Sequence, residues 1–341
     1  MTKVYDFKQE IKLQELEDAA TVLRNGGLVI FPTETVYGVG ANALKQDSVD
    51  QIFQAKGRAN DNPLIVHIHN FEQLNEFVAE ISPMEQALID AFFPGPFTLV
   101  LKKKPIIPDN VSAKLDTVGI RMPENKIAHE LLKCANVPVA APSANLSSRP
   151  SGTNVADILE EFKDKVDIII DGGESKIGIE STVVRVIDGV PTILRPGKIT
   201  PEDIKEVVGV VSIDQNVFKK AVGVVRSPGM KYKHYAPNSP CTLVYSEDEI
   251  TQIALINELA TKNTIVIGFK EHQDKIKCGQ YFIHGSIHNY DEISHTIFTI
   301  LRKVDQLKPD QILIEGVKKE GLGIAIMNRL IRSSSYHYIE K

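Results

Sequence analysis

The chain has 341 residues, a formal net charge of -5 at pH 7, and 43% hydrophobic and 24% charged residues. This length favours two globular domains, and no apolar run approaches the ~18 residues that a membrane-spanning helix needs. The acidic balance argues against broad electrostatic capture of nucleic acid, which requires a basic face on the protein.

Cysteine usage and the first residues indicate the compartment. Cys134, Cys241 and Cys278 are far apart and form no C-x-x-C pair. We therefore expect reduced thiols, and neither a disulfide framework nor a zinc site. Residues 1–10 lack the apolar stretch of a signal peptide. These features predict a cytoplasmic protein that makes no contact with a membrane.

Short helix and strand patterns follow one another irregularly up to residue 208. Helical periodicity over 11–23 stops at Gly26, and a helix is predicted over 48–55 with Asp47 or Ser48 as its N-cap. Strands are predicted over 28–31, 64–68, 97–101, 118–122, 137–141, 166–170, 181–186 and 192–195. Because strands outnumber helices without regular alternation, the pattern predicts a mixed α+β sheet.

Two local signals have a specific structural meaning. Ser82 and Glu85 form a capping box with Pro83 at the first helical position, which predicts the start of a helix. Asp188 and Gly189 separate two strand patterns, which is typical of a tight β-hairpin.

The pattern changes after residue 208. Residues 209–239 are predicted to be a linker, because the segment is rich in Pro and Gly and too long for a tight connection. Strands predicted over 242–245, 264–269 and 311–315 then alternate with helices over 249–259 and 292–307. The predicted fold is thus α/β (α+β), with a mixed twisted sheet in residues 1–208 and a smaller Rossmann-like parallel βαβ domain in residues 240–341.

The densest chemical signal is the pair Lys56 and Arg58, which is followed by Asn62. Gly57 lets the backbone turn between them, so that both cationic groups can point the same way. A mobile ammonium and a planar guanidinium together suit the phosphates of a nucleotide. Two solvated surface charges would give the same pattern, so this pair alone does not establish a nucleotide-binding site.

Small and hydroxyl-bearing residues follow the predicted strand at 137–141. Ala141 lets a ligand approach the backbone, and Ser143, Asn145 and Ser151 offer hydrogen-bond donors and acceptors. A helix-capping loop would use the same residue types. This segment is therefore a candidate binding loop with an open structural alternative.

Polar residues also lie at the ends of other predicted strands. Arg121 ends a strand near Thr117 and can pair with a carboxylate bidentately. Thr35 lies in a polar loop after a buried strand, and Ser181 and Arg195 flank two further strands. Each of these residues also fits an ordinary surface position.

Several common site types are absent from the sequence. His67 and His69 alternate on a strand without a third ligand nearby, so no metal site is predicted. Gly38-x-Gly40 lacks the βαβ context of a dinucleotide site, and no P-loop is present. The residues alone suggest a basic, hydroxyl-lined pocket for a polyanion and a small zwitterion, without naming a reaction.

Together these segments resemble the YrdC-domain threonylcarbamoyl-AMP synthases in their long two-domain form. The matching segments are 31–38 (FPTETVYG), 56–58 with Asn62 and Pro63, 93–98 (FPGPFT), 119–123 (GIRMP), 141–145 (APSAN) with 151–152, 180–182, 194–197 (LRPG) and 227–237. The resemblance covers nearly the whole chain. It implies a YrdC-like catalytic domain that joins L-threonine, bicarbonate and ATP into threonylcarbamoyl-AMP, the donor for tRNA modification.

The resemblance also implies residue roles. The expected threonine-binding residues are Thr35, His67, Arg121 and Ser181. The expected ATP-binding residues are Arg58, Asn62, Thr117, Ala141, Ser143, Asn145, Ser151, Arg195 and His234. Lys56, Arg58 and Ser143 are expected to act on the reacting groups, and Mg²⁺ is expected to travel with the triphosphate. Because His234 lies in the linker, we hypothesise that the linker closes over the pocket.

Two other functions stay open at this point. The chain would serve as a double-stranded RNA or tRNA-binding module if its pocket surface were basic, although the acidic net charge counts against this. It would also fit a carbamoyl transferase that uses carbamoyl phosphate, although such proteins carry zinc-spaced cysteines that this chain lacks. The synthase interpretation implies a downstream tRNA threonylcarbamoyl transferase machinery as partner and leaves room for a weak contact with tRNA.

Overall fold

A computed structural model describes residues 1–219 and 235–341 of the chain. Within these ranges the strands form two separate sheets, one of eleven strands and one of five. The mixed sheet and the parallel sheet predicted from the sequence are both confirmed.

The first sheet contains parallel and antiparallel neighbours. Its strands are β1 (Lys3–Asp6), β2 (Val29–Phe31), β3 (Gly38–Asn42), β4 (Ile65–His67), β5 (Phe97–Lys102), β6 (Thr117–Arg121), β7 (Val139–Ala140), β8 (Ile168–Asp171), β9 (Thr182–Ile187), β10 (Val190–Arg195) and β11 (Ser212–Ile213). Their order is β1-β8-β2-β3-β7-β4-β6-β5-β9-β10-β11. Strands β4 and β6 are parallel neighbours, so their carboxyl ends lie side by side. Strand β5 is antiparallel to β6 and pairs with its other edge.

Helices cover both faces of this sheet. They are α1 (Leu13–Asn25), α2 (Gln46–Lys56), α3 (Phe71–Phe77), α4 (Pro83–Phe92), α5 (Asp109–Ser112), α6 (Lys126–Ala135), α7 (Val155–Phe162) and α8 (Pro201–Val208). Successive strand residues point to opposite faces. Phe31 packs with α1 and α6, whereas Ile30 packs in the larger cluster with α2, α4 and α7.

The second sheet is parallel throughout. It consists of β12 (Cys241–Tyr245), β13 (Thr264–Phe269), β14 (Gln280–Gly285), β15 (Gln311–Glu315) and β16 (Tyr338–Glu340), in the order β14-β13-β15-β12-β16. Its helices are α9 (Glu249–Leu259), α10 (Tyr290–Gln306) and α11 (Leu322–Ser333), with a 3₁₀ turn at Lys270–His272. Helix α9 packs on the face that carries Val244 and Leu313. Helices α10 and α11 pack on the opposite face, with Leu243 and Ile314.

The two specific local signals are confirmed. Ser82 caps α4, since its hydroxyl accepts the N–H of Glu85 at 3.3 Å and its own N–H donates to the Glu85 carboxylate at 2.7 Å. The antiparallel strands β9 and β10 are joined by Asp188 and Gly189, with φ of 50° and 78°. Two consecutive residues of positive φ define the turn whose twist suits a hairpin.

The predicted N-cap of α2 is wrong. The helix begins at Gln46 with Lys45 at the N-cap, and Lys45 makes no side-chain capping bond. Asp47 and Ser48 lie inside the first turn instead. The side chain of Asn42 accepts the N–H of Leu44 at 3.0 Å, which turns the chain before Lys45 and starts the helix earlier than the capping signal indicates.

The domain boundaries at 208/209 and 239/240 stay predictions. The predicted linker begins with β11, which pairs with β10 and so extends the first sheet. Residues 220–234, which include His234 and most of the hypothesised lid, lie outside the described residues. Among the residues that the structure describes, we find no helix whose length and apolar character would let it cross a membrane.

Buried contacts join the elements of the two sheets. Val36 and Ile179, from loops beside the first sheet, pack in the apolar cluster of α10 and α11. Arg302 of α10 forms an ion pair with Glu161 of α7 at 2.6 Å, and both side chains are almost fully buried. Lys198 and Asp291 form a second ion pair between the two parts, but both side chains are exposed.

We predict that Arg302→Met destabilises the protein far more than Lys198→Met. Removing Arg302 leaves the Glu161 carboxylate buried without its main cation, which typically costs about 3–5 kcal/mol in free energy of unfolding. Removing Lys198 breaks a pair that water already screens. Urea denaturation of both variants measures the difference. Similar shifts of the two denaturation midpoints would contradict a dominant role for the buried pair.

Candidate functional site

A cavity lies where β4 and β6 end, enclosed by the loops that follow β2, β7 and β8. It is lined by Thr33, Thr35, Val36, Tyr37, Gly38, Arg58, Pro63, Leu64, Ile65, His67, Arg121, Ala141, Pro142, Ser143, Glu180, Ser181, Arg195 and Tyr235. Segments from far apart in sequence thus meet around one space, and three arginines line it.

The structure brings most of the predicted site residues together. The predicted residues that line the cavity are Thr35, Arg58, His67, Arg121, Ala141, Ser143, Ser181 and Arg195. The predicted residues that do not line it are Lys56, Asn62, Thr117, Asn145 and Ser151. His234 lies outside the described residues. The roles of all these residues stay predictions.

Thr117 does not line the cavity beside Arg121. It begins β6, whereas Arg121 ends the same strand. A strand rises about 3.3 Å per residue, so the two residues are roughly 13 Å apart along it. Thr117 lines a small neighbouring cavity, which shares Pro63, Leu64 and Ile65 with the first. Proximity in sequence therefore does not place it with Arg121.

Lys56 fixes the loop that follows β7. It ends α2, is buried, and its Nζ donates to the carbonyl oxygens of Ser143 and Asn145, the latter at 2.6 Å. Burial, together with the neighbouring charge of Arg58, lowers the pKa of Lys56 well below its usual value. The hydroxyl of Ser143 donates to the side chain of Asn145 at 2.6 Å. These contacts hold the loop against the end of α2.

Arg121 is anchored by three partners. Its Nη1 donates to the Thr35 hydroxyl at 2.9 Å, its Nη2 to the carboxylate of Glu34, and its Nε to the carbonyl of Gly95 at 3.3 Å. Glu34 and Arg121 are both buried. Sequence reasoning gave Glu34 no role, although a carboxylate that follows a buried strand so closely is a signal for a buried cation nearby.

His67 is a neutral, buried neighbour of Arg121. The two residues face each other in the parallel pair β4–β6. Burial, with a further contribution from the Arg121 charge, lowers the pKa of His67 to about 3. Its Nδ1 has no hydrogen-bond partner among the described residues. At neutral pH the ring is uncharged and offers one donor and one acceptor.

Arg195 and Ser181 form a second anchored pair in the wall of the cavity. Arg195 donates from Nε and Nη2 to the carbonyl oxygen of Ser181, at 3.1 and 3.0 Å, and from Nη2 to its hydroxyl at 3.1 Å. The hydroxyl of Thr98 lies 2.8 Å from that of Ser181. Burial lowers the pKa of Arg195 to about 10, so its guanidinium stays charged at neutral pH.

Glu180 connects this wall to the second sheet. Its Oε1 accepts from the Ser151 hydroxyl at 2.6 Å, and its Oε2 accepts from Nε of Arg329 in α11 at 3.0 Å. Burial alone would raise the pKa of Glu180, but the charges of Arg329 and Arg195 lower it to about 2. Arg329 is fully buried and also donates to the carbonyl of Pro196 at 2.6 Å.

Sequence reasoning missed this connection. Glu180 and Arg329 lie in segments with recognisable patterns, yet they are 149 positions apart. Tyr235 adds to the same region, because its ring stacks on Phe298 and lies 5.9 Å from the Arg329 guanidinium. No spacing rule relates such distant residues, so only the folded chain shows the contact.

No protein metal centre is evident in the described part of the chain. Within residues 1–219 and 235–341, no group of three or more His, Cys, Asp or Glu side chains is arranged to hold a metal ion.

The low pKa of His67 predicts a specific pH dependence of stability. The unfolded chain takes up a proton at His67 near pH 6.5, whereas the folded chain does so only near pH 3. The stability that the folded protein gains from an uncharged His67 is therefore complete above pH 6.5 and is lost as the pH falls towards 3. Between pH 7.5 and 5.5, we expect the free energy of unfolding of the native protein to fall by about 1.4 kcal/mol relative to His67→Gln.

Denaturant titrations of both proteins at the two pH values measure this difference. The same substitution at the exposed His129 controls for removal of a histidine from the surface. An equal pH dependence in the native protein and His67→Gln would contradict a neutral, buried His67.

Comparison with known proteins agrees with this architecture. A family model described as "Telomere recombination" (Sua5_yciO_yrdC) matches residues 21–197. A second model, "Threonylcarbamoyl-AMP synthase, C-terminal domain", matches residues 199–335. The Pyrococcus abyssi protein named threonylcarbamoyl-AMP synthase is 43% identical over 349 aligned positions that cover both chains completely. A Bacillus subtilis protein of the same name is 37% identical and covers 94% of this chain and 93% of its own.

Solved structures show the same relationship. The crystal structure of P. abyssi Sua5 complexed with L-threonine matches with a TM-score of 0.94 and 41% identity, covering both chains completely. Escherichia coli YciO matches 58% of this chain and 96% of its own with a TM-score of 0.52; at 22% identity it shares the fold alone. Since the two family models together span nearly the whole chain and full-length relatives carry one name, the chain belongs to the threonylcarbamoyl-AMP synthase family.

Proposed function

We propose that the cavity between Arg121 and Arg195 is the site where this threonylcarbamoyl-AMP synthase joins L-threonine, bicarbonate and ATP. The products are threonylcarbamoyl-AMP, pyrophosphate and water. The observation that carries the proposal is the convergence of three arginines on one cavity whose nearby carboxylates, Glu34 and Glu180, are already paired. The remaining positive charge suits a triphosphate and an amino-acid carboxylate.

Threonine is proposed to bind at the end of β4 and β6. Arg121 has five N–H donors and uses three of them on Thr35, Glu34 and Gly95, which leaves donors for the threonine carboxylate. His67 is uncharged and adjacent, so it serves as a hydrogen-bond partner and not as a second cation. The bound complex of the P. abyssi protein with L-threonine supports this class of ligand.

ATP is proposed to bind on the side of Arg58 and Arg195. Both side chains line the cavity, and the loop with Ala141 and Ser143 adds backbone and hydroxyl groups between them. Arg195 is held by the Ser181 carbonyl and therefore needs little rearrangement to contact a phosphate. Four further residues do not line the cavity and are proposed to act on ATP through these neighbours: Asn62, Thr117, Asn145 and Ser151.

The chemistry needs no covalent enzyme nucleophile. An oxygen of N-carboxythreonine attacks the α-phosphorus of ATP, and pyrophosphate leaves with the pair of electrons of the broken P–O bond. Positioning of the two reactants and neutralisation of developing negative charge supply the rate enhancement. We propose that Mg²⁺ arrives with the triphosphate, since magnesium usually binds through phosphates and few protein ligands.

Lys56 is proposed to act in two ways. Its ammonium holds the Ser143 loop, and it contributes positive charge close to that loop when the triphosphate is bound. Burial disfavours its charge in the unliganded protein, whereas nearby phosphates would favour it. The product is proposed to pass to a tRNA threonylcarbamoyl transferase machinery, in the cytoplasm, with at most a weak direct contact with tRNA.

Pyrophosphate release from ATP tests the proposed function. We expect release only when threonine and bicarbonate are both present, because the N-carboxy group is the nucleophile. Release without either one, or no release under any condition, would overturn the proposal. Salt-dependent tRNA binding without ATP consumption would instead favour the RNA-binding alternative.

Substitution of the cations tests the residue assignment. Arg58→Ala and Lys56→Ala should each lower the turnover number by about 10²–10³, because each removes a charge near developing negative charge. Lys133→Ala, at an exposed position of α6, is the matched control. Circular dichroism checks that both site variants fold. Turnover like that of the native enzyme in either would refute its assignment.

The ion pair of Glu180 and Arg329 predicts that a substitution in α11, beside the second sheet, alters ATP binding at the first sheet. Arg329→Met leaves the Glu180 carboxylate uncompensated beside the ATP side of the cavity, so KM for ATP should rise about tenfold or more. The double variant Glu180→Gln/Arg329→Met removes both charges and should recover most of the loss. If Arg329→Met lowered thermal stability while KM for ATP stayed unchanged in both variants, Arg329 would have a structural role alone.

A further inference from the structure

The second sheet carries a cavity that the proposed reaction does not use. Its volume is about 310 Å³, and it lies beyond the carboxyl ends of β12, β13 and β15. Tyr245, Phe269 and Tyr290 provide aromatic walls, and Glu247 and Glu249 lie at the rim. All of its lining residues belong to the second sheet and the helices and loops around it, whereas the proposed reaction lies at the first sheet.

The topology of the second sheet creates this opening. Strands β12 and β15 are neighbours, and the helices that follow them, α9 and α11, pack on opposite faces of the sheet. The chain therefore leaves the two strand ends in opposite directions and leaves a crevice between them. Ligands of open parallel sheets bind at such positions, where the direction of winding reverses.

The floor of the cavity is a fixed hydrogen-bond network. Glu315 ends β15 and is fully buried; its carboxylate accepts from Nδ1 of His272 at 2.7 Å and from the Tyr281 hydroxyl at 3.0 Å. Gln252 donates to Glu315 at 3.2 Å and accepts the N–H of Ser246 at 2.9 Å. An ordinary surface crevice does not need a buried carboxylate with this many partners.

Gly268 makes room for this network. A Cβ atom at that position would lie 2.2 Å from Oε2 of Glu315 and 2.3 Å from the Tyr281 hydroxyl. Any side chain would displace the carboxylate from the strand end. The local sequence is thus compatible with the network only because glycine occupies this position.

His272 connects the buried network to the rim of the cavity. It is fully buried and lines the space, and its Nε2 has no hydrogen-bond partner among the described residues. A carboxylate oxygen of Glu249 lies 2.9 Å from Nε2, which is ion-pair distance. His272 therefore lies between the buried carboxylate of Glu315 and the carboxylate of Glu249 at the rim.

The charge at the rim is negative on balance. The ammonium of Lys275 lies 3.1 Å from a carboxylate oxygen of Glu249. The ammonium of Lys318 lies 2.9 Å from a carboxylate oxygen of Glu320. Glu247 is exposed and forms no ion pair with another described residue. The rim cations are thus paired, whereas carboxylate charge remains available to a ligand.

The aromatic walls favour the same type of ligand. Aromatic faces attract ammonium groups through their negative electrostatic potential. The ammonium of Lys319 already lies 6.0 Å from the centre of the Tyr245 ring, although Lys319 does not line the cavity. An enclosed space with aromatic walls and carboxylates at its rim is suited to a cation and unsuited to an anion.

We propose that this cavity is a second ligand site, which binds a small organic cation: a protonated aliphatic amine held by Glu247 and Glu249 against the aromatic walls. The proposal is independent of the reaction at the first sheet. It requires only that the amine replace its hydration with carboxylate oxygens and aromatic faces.

Isothermal titration calorimetry of the full-length chain with putrescine tests this site. Succinate, which has the same four-carbon length and the opposite charge, is the matched ligand at equal ionic strength. We expect putrescine to bind and succinate not to bind. Absence of putrescine binding at millimolar concentration, or binding of succinate alone, would overturn the proposal.

Two variants locate the binding. Glu249→Gln should weaken putrescine binding about tenfold or more, since it replaces a charge-assisted contact by a neutral one. Glu258→Gln removes the same charge from the exposed end of the same helix, outside the cavity, and should leave the Kd unchanged. If Glu249→Gln fails to fold, Glu247→Gln at the exposed rim provides the same test. Equal affinity in the rim and control variants would place putrescine elsewhere and overturn the assignment.

Discussion

The candidate active site depends on the neutralisation of Glu180 from outside its own sheet. A buried carboxylate is costly unless it is paired and hydrogen-bonded. Glu180 lies at the cavity, and α11 supplies its counter-charge through Arg329. Without that arginine, the carboxylate would oppose the positive charge of Arg195, which we propose binds phosphate. The second sheet therefore contributes to the electrostatics of a site that lies at the end of the first.

The same constraint accounts for the buried ion pairs between the two parts. Arg329 donates to Glu180 and to the Pro196 carbonyl, while Arg302 pairs with Glu161 of α7. Val36 and Ile179 pack in the apolar cluster of α10 and α11 and add apolar contacts between the two parts. Apolar contacts alone would hold the sheets together, but they would not set the charge of the cavity wall. Here the residues that join the two parts also determine the charge available to a ligand.

Local sequence patterns predicted local structure well. The capping box at Ser82 and the hairpin at Asp188 depend on neighbours within a few positions, and both are confirmed. The N-cap predicted at Asp47 or Ser48 is wrong because the side chain of Asn42 starts the turn earlier. Strands β14 and β16, which were not predicted, lie at the two edges of the second sheet, where exposed residues weaken the apolar pattern.

The site residues come together through contacts between segments that are distant in sequence. The family resemblance implied that Arg58, His67 and Arg121 belong to one site, and all three line the cavity. His67 and Arg121 end neighbouring strands, and Arg58 follows the end of α2. Lys56 was expected just past the helix predicted over 48–55; it ends α2 instead, and it points to carbonyl oxygens of the loop after β7 and not into the cavity. Backbone acceptors carry no residue identity, so a sequence pattern contains no signal for such a contact.

The two sheets use their strand ends in different ways. In the first sheet, cations at strand ends meet paired carboxylates, and the surplus charge is positive. In the second sheet, the strand-end carboxylate Glu315 is buried behind His272, and the carboxylates at the rim leave a negative surplus. Helix α11 follows the loop that borders the second cavity and carries Arg329 to the first. Helix α11 therefore links the loop beside the second cavity to the Glu180 carboxylate at the first, so one element joins the two proposed sites of opposite charge.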